Sequence, residues 1–67
     1  MVKNNLKEYR LKAKLTQKIL SKLISISTRQ YQEYEYNKYS PNIYTAIKIA
    51  NILKVKDLRN LFPIEGV

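Results

Sequence analysis

Between residues 6 and 62 the apolar positions recur every three or four residues in short bursts, the spacing of helices that bury one side only. The first burst predicts a helix over residues 6–14, with Leu6, Tyr9 and Arg10 on its core side. Asn5 stands at its N-cap and Glu8 at the reciprocal capping position. Thr16 offers a hydroxyl to start a second helix, which runs to about Ile24 and turns Leu20, Ile24 and the small Ser21 inward. Ser25 and Ile26 form a tight break. A third helix follows, and its start is marked twice: Ser27 and Gln30 have capping-box spacing, and Ile26 and Tyr31 have the spacing of a hydrophobic staple. It ends near Tyr36, where Asn37 suits a left-handed terminal residue. After a loop at residues 38–41, a fourth helix over residues 43–53 turns Ile43, Ala46, Ile49, Ala50 and Leu53 inward. A last short helix, residues 57–62, adds Leu58, Leu61 and Phe62 before Pro63 stops it.

No segment alternates apolar and polar residues long enough for a strand. The pattern therefore predicts a compact, all-α bundle of five short helices, a single domain over residues 1–67 with a short tail at 63–67. A chain of 67 residues has room for one small core. Cysteine and histidine are both missing, which removes disulfides, thiolate metal sites and the commonest general base. The five acids are dispersed and no nucleophile has a base beside it, so neither an enzyme nor a metal or cofactor site is expected. The chain begins in polar residues with no apolar signal region, and no apolar run approaches a membrane span, so a cytoplasmic location is expected. Thirteen Lys and Arg against five acids give a net charge of +8. That balance predicts a polyanionic partner, nucleic acid ahead of an anionic membrane surface.

The third helix carries the most specific chemistry. At about 100° per residue, Tyr31, Tyr34 and Glu35 share one arc, while Arg29, Gln32, Glu33 and Tyr36 fall on the other and Thr28 lies at the edge. Two short helices joined by so tight a break make a helix-turn-helix, spanning about residues 16–36. Its second helix enters the major groove with its N-terminal residues first. Arg29 can bond guanine, Gln32 adenine, and the Thr28 methyl can touch thymine. Taken alone, these residues read as an ordinary solvated face; within a helix-turn-helix on a strongly basic chain they read as base contacts. Gln30 is already accounted for by the capping box. Tyr36, Tyr39 and Tyr44, around the loop, suit donation to phosphate better than base stacking.

From Leu6 to Phe62 the chain resembles the Cro and phage-repressor type of helix-turn-helix domain. The matching pieces are LKEYR at 6–10, LTQ at 15–17, ISIS at 24–27, YE at 34–35, SPN at 40–42 and IKIANIL at 47–53, in register without a gap. The resemblance implies a lambda-repressor-like DNA-binding domain and gives residues their roles. Gln17 matches a position that bonds a DNA phosphate, and Thr28, Arg29 and Gln32 match positions that read bases. Asn37, Lys38 and Tyr39 match the loop that touches phosphate after the recognition helix. Arg10 and Glu35 match a structural pair tying the first helix to the third. The chain departs from the pattern at Ser25, where the family usually has a glycine with positive φ, and at Glu33, whose charge on the groove side repels phosphate unless it accepts from a cytosine amino group.

These readings converge on a transcription regulator of double-stranded DNA, most simply a repressor of phage, plasmid or bacterial origin. A homodimer on a palindromic operator is expected, formed through the C-terminal third around Leu58, Leu61, Phe62 and Ile64; a dimer that forms only on DNA fits equally well. The chief rival is a protein-interaction module of antirepressor or antitoxin type, using the apolar Ile19 and Leu23 one turn apart on the second helix. A membrane-active peptide would need one long amphipathic stripe, whereas the apolar residues here are divided among five capped helices.

Overall fold

A computed structural model describes residues 4–63, and the tail containing Ile64 lies outside them. Five helices follow in order: α1 (Leu6–Lys12), α2 (Gln17–Leu23), α3 (Thr28–Glu35), α4 (Ile43–Leu53) and α5 (Leu58–Leu61). Leu6, Leu20, Tyr31, Ile49 and Leu61, one from each helix, are fully buried and form the centre of the core. Ile24, Tyr34, Ala50, Leu53 and Val55 complete the buried cluster, with Tyr9, Leu15, Ile26, Leu58 and Phe62 packed against it.

Two of the expected caps are present, and Asn42 supplies a third that was not foreseen. The Thr16 hydroxyl accepts from Ile19 N–H at 3.1 Å, Ser27 from Gln30 N–H at 3.0 Å, and Asn42 from Thr45 N–H at 2.9 Å. Each satisfies a backbone donor that the first turn leaves without a partner. Asp57 caps α5 likewise, through Arg59 N–H.

The start of α1 departs from expectation. Asn5 makes no side-chain cap. Asn4 takes that role, its Oδ1 accepting from Leu6 N–H at 3.1 Å, while Asn5 is held by tertiary bonds, Nδ2 to Asn60 O at 2.8 Å and N–H to Leu61 O at 2.8 Å. Glu8 stays exposed. Asn4 also donates from its backbone N–H and Nδ2 to Asn37 Oδ1, both at 3.1 Å, and from Nδ2 to Tyr34 O at 2.6 Å. The capping box at α3 is likewise only half formed, because Gln30 turns its amide to the Tyr34 hydroxyl at 3.0 Å. Ile43, expected inward, is 56% exposed. It stands in the first turn of α4 at the edge of the buried arc of Ala46, Ile49, Ala50 and Leu53, on the same side as the exposed Ile47.

Helix ends have one shared device. Lys14, Ser25, Asn37 and Lys54 all have φ near +60°. At each, the next residue's N–H reaches back five positions: Leu15 to Arg10, Ile26 to Ser21, Lys38 to Glu33 and Val55 to Ala50, at 2.8–3.2 Å. This is the Schellman arrangement, which usually places glycine at the left-handed residue. The chain's one glycine is Gly66, so four other residues take the conformation. Lys14 in that state ends α1 at Lys12, two residues before the sequence pattern does.

Candidate nucleic-acid interface

The turn between α2 and α3 is built from Ile24, Ser25, Ile26 and Ser27. Ser25 reverses the chain with φ 62°, Ile24 and Ile26 anchor it to the core, and Ser27 caps the new helix. Ser21, 1% exposed, lets α3 approach closely. Its hydroxyl lies 2.8 Å from Lys18 O, to which it donates, and 3.1 Å from Thr28 Oγ1. The first residue of α3 is thereby tied to α2.

Burial of Tyr31, Tyr34 and Glu35 fixes the rotation of α3. Arg29 is exposed and has no ion pair or hydrogen bond among the described residues. Thr28 is half-buried with its hydroxyl already engaged, which suits a contact through its methyl. Gln32 sits differently from the outward position expected. It is half-buried, and its Nε2 donates to Gln17 Oε1 at 3.0 Å. The reason is geometric: positions 32 and 35 differ by only about 60° around the helix, so Gln32 borders the arc of the buried Glu35. Arg29 and Tyr36 stay exposed on the outer side instead, while Glu33 is half-buried.

Behind this face lies a buried ion pair. Arg10 Nε donates to Glu35 Oε2 at 2.9 Å, Nη2 to Oε1 at 3.3 Å, and Nη1 to Leu15 O at 2.8 Å. Gln17 Nε2 donates to the same Oε1 at 3.1 Å. Burial alone would raise the Glu35 pKa; hydrogen bonds from Arg10 and Gln17, the charge of Arg10 and the nearby dipole of the Tyr31 hydroxyl more than offset it and hold the carboxyl below its ordinary range. The Tyr31 hydroxyl is buried without a hydrogen bond of good geometry, and burial, then the neighbouring carboxylate, push its pKa well up.

The loop after α3 places Lys38 and Tyr39 at the surface, Tyr39 57% exposed. Lys38 Nζ lies 3.6 Å from Glu33 Oε2 and 5.8 Å from the Tyr39 ring centre. Asn37 is half-buried, its carboxamide oxygen engaged by Asn4. Ile19 and Leu23 are 47% and 56% exposed. Of the apolar residues assigned to a dimer contact, Leu61 is wholly consumed by the protomer's own core, while Leu58 and Phe62 keep part of their surface. The links Asn4–Asn37, Ser21–Thr28 and Gln17–Gln32 were not foreseen; the 32/35 spacing alone pointed to the last.

The helix-turn-helix family matches residues 6–59. An uncharacterized HTH-type transcriptional regulator of Methanocaldococcus jannaschii is 40% identical over 55 residues, covering 82% of this chain and 83% of that protein. The chain belongs to the helix-turn-helix family of the Cro and phage-repressor type, a family of DNA-binding transcription regulators. No helix among the described residues is long and apolar enough to cross a membrane.

Proposed function

We propose that this protein is a sequence-specific regulator of double-stranded DNA, a small repressor that binds a palindromic operator as a dimer. The observation that carries the reading is Arg29: it is exposed in the first turn of a helix whose rotation is fixed from behind, and it is committed to no partner. From there its guanidinium bonds guanine O6 and N7 in the major groove. Gln32 and the Thr28 methyl contact neighbouring bases, and Gln17, Lys38, Tyr39 and the Asn37 amide hold the phosphates on either side. The chain acts where the DNA is, in the cytoplasm. The regulatory half of the proposal draws on the name of the M. jannaschii relative.

Dimerisation places two half-sites about 10 bp apart. With Leu61 buried, the dimer surface is reassigned to the edge of α4 and α5, where Ile47, 44% exposed, and Leu58 flank a groove of about 420 Å³. Selection from random duplex DNA at two salt concentrations tests the proposal. One enriched two-fold motif is expected, and Arg29→Ala should weaken it by about 1–3 kcal/mol and relax one base pair in each half. Enrichment of no motif, or an Arg29→Ala protein with unchanged selectivity, overturns it.

One observation favours a second surface. Leu11, Ile19 and Leu23 all remain about half exposed on α1 and α2. In the protein-interaction reading, binding of a partner survives Arg29→Ala and is lost in Leu23→Asp.

A further inference from the structure

The hydrogen bonds behind α3 form a chain whose direction is set at its buried end. An ionised carboxylate only accepts. Glu35 Oε1 therefore draws the amino group of Gln17 toward it, at 3.1 Å. Gln17 then presents its own Oε1 to Gln32, whose Nε2 donates at 3.0 Å. Reversing the Gln32 amide would set two carbonyl oxygens against each other. Reversing Gln17 as well would set its carbonyl against the carboxylate.

We infer that this relay makes Gln32 an adenine reader, with Gln17 and Glu35 as the positioning residues that determine its specificity. The inference rests on the DNA-reading function proposed above and names what restricts Gln32 to that base. One N–H of Gln32 is held by Gln17, which leaves a single N–H and the Oε1 for the groove. That donor and acceptor match N7 and the N6 amino group of adenine. A free glutamine amide can also turn both its N–H groups toward guanine, whose edge offers two acceptors. The relay removes that option. Gln17 retains its second N–H for a phosphate, so one side chain serves both backbone contact and base choice.

The test uses the full chain and its selected operator. Gln32→Ala identifies the base pair concerned, at which the wild type is expected to prefer A·T over G·C by roughly ten- to a hundredfold. Gln17→Leu removes the middle link and leaves the buried ion pair in place. It is expected to bring that ratio to within about threefold, while the preference lost in Arg29→Ala is retained. In the free protein, Gln17→Leu is also expected to shift the side-chain amide NMR signals of Gln32. Glu35→Gln, where it folds, releases the same lock, because an amide can donate as well as accept. Adenine preference that persists in Gln17→Leu, a wild-type preference for G·C at that pair, or Gln32 amide signals that do not move overturns the relay and leaves the regulator reading standing. Selectivity unchanged in Arg29→Ala overturns the regulator reading, and the relay's specificity role falls with it.

Discussion

Arg10 and Glu35, on the first and third helices, meet through Nε–Oε2 at 2.9 Å with their side chains 9% and 1% exposed. Removing one partner strands a buried charge, whereas removing both strands none. Arg10→Met is expected to cost about 3–5 kcal/mol in urea unfolding, and Arg10→Met with Glu35→Leu considerably less than the single change. A single variant within about 1 kcal/mol of wild type would contradict this.

The same pair sets an acid limit. Glu35 has a folded pKa below the ordinary value of 4.5, so the unfolded chain binds the proton more readily. Its contribution is complete above that ordinary value and lost as pH falls through the folded one. Unfolding midpoints measured from pH 7 downward should decline below about 4.5, and Glu35→Gln, less stable at pH 7, should show a shallower decline.

Tyr31 carries a buried hydroxyl that gains no well-formed hydrogen bond. Its phenyl ring does the packing. Tyr31→Phe is expected to lie within about 1 kcal/mol of wild type, on the stabilised side, because a buried polar atom without a partner carries a desolvation penalty. A loss of about 2 kcal/mol or more, the cost of breaking a bond to a charged group, would assign the hydroxyl a bond to Glu35.

Four left-handed residues are open to glycine. At Ser25 and Lys54, both exposed with φ near +60°, glycine removes the Cβ conflict. Each replacement should raise stability by about 0.5–1 kcal/mol, read as several degrees in melting temperature. Asn37→Gly gains less, since asparagine tolerates the conformation and its Oδ1 holds Asn4. Lower stability in Ser25→Gly would show that the unfolded chain's added freedom outweighs the relieved strain.

Glu33 pairs with Lys38 at 3.6 Å, beside the exposed Arg29. Glu33→Gln removes the repulsion of phosphate and frees a cation for it. Affinity for all duplex DNA should increase, and the slope of log K against log salt should steepen by about 0.9. An unchanged slope would show that Lys38 makes no phosphate contact.

The five helices and their inward faces were readable because burial repeats with the helical period; Leu20, Tyr31, Ile49 and Leu61 needed nothing more. Helix ends were less so. The usual stop signal is glycine, and here lysine does the work at Lys14 and Lys54, a residue whose side chain says little about φ; at Ser25 only the resemblance pointed to the conformation. The candidate site divides the same way. The exposure of Arg29 was legible from rotation alone, and the Arg10–Glu35 ion pair from the resemblance. Gln32 was misplaced because assigning residues to two opposite faces ignores those between them, and only a neighbouring helix shows which way such a residue leans. The Asn4 contacts were invisible, as they join positions thirty or more residues apart.

Those contacts have a practical bearing on how the molecule is handled. The fourth residue grips the far end of α3, so anything fused ahead of it emerges next to Asn37 and the loop that follows. A purification tag at that end would compete for the very strip assigned to the DNA backbone, and affinity measured with it attached would understate that of the unencumbered chain.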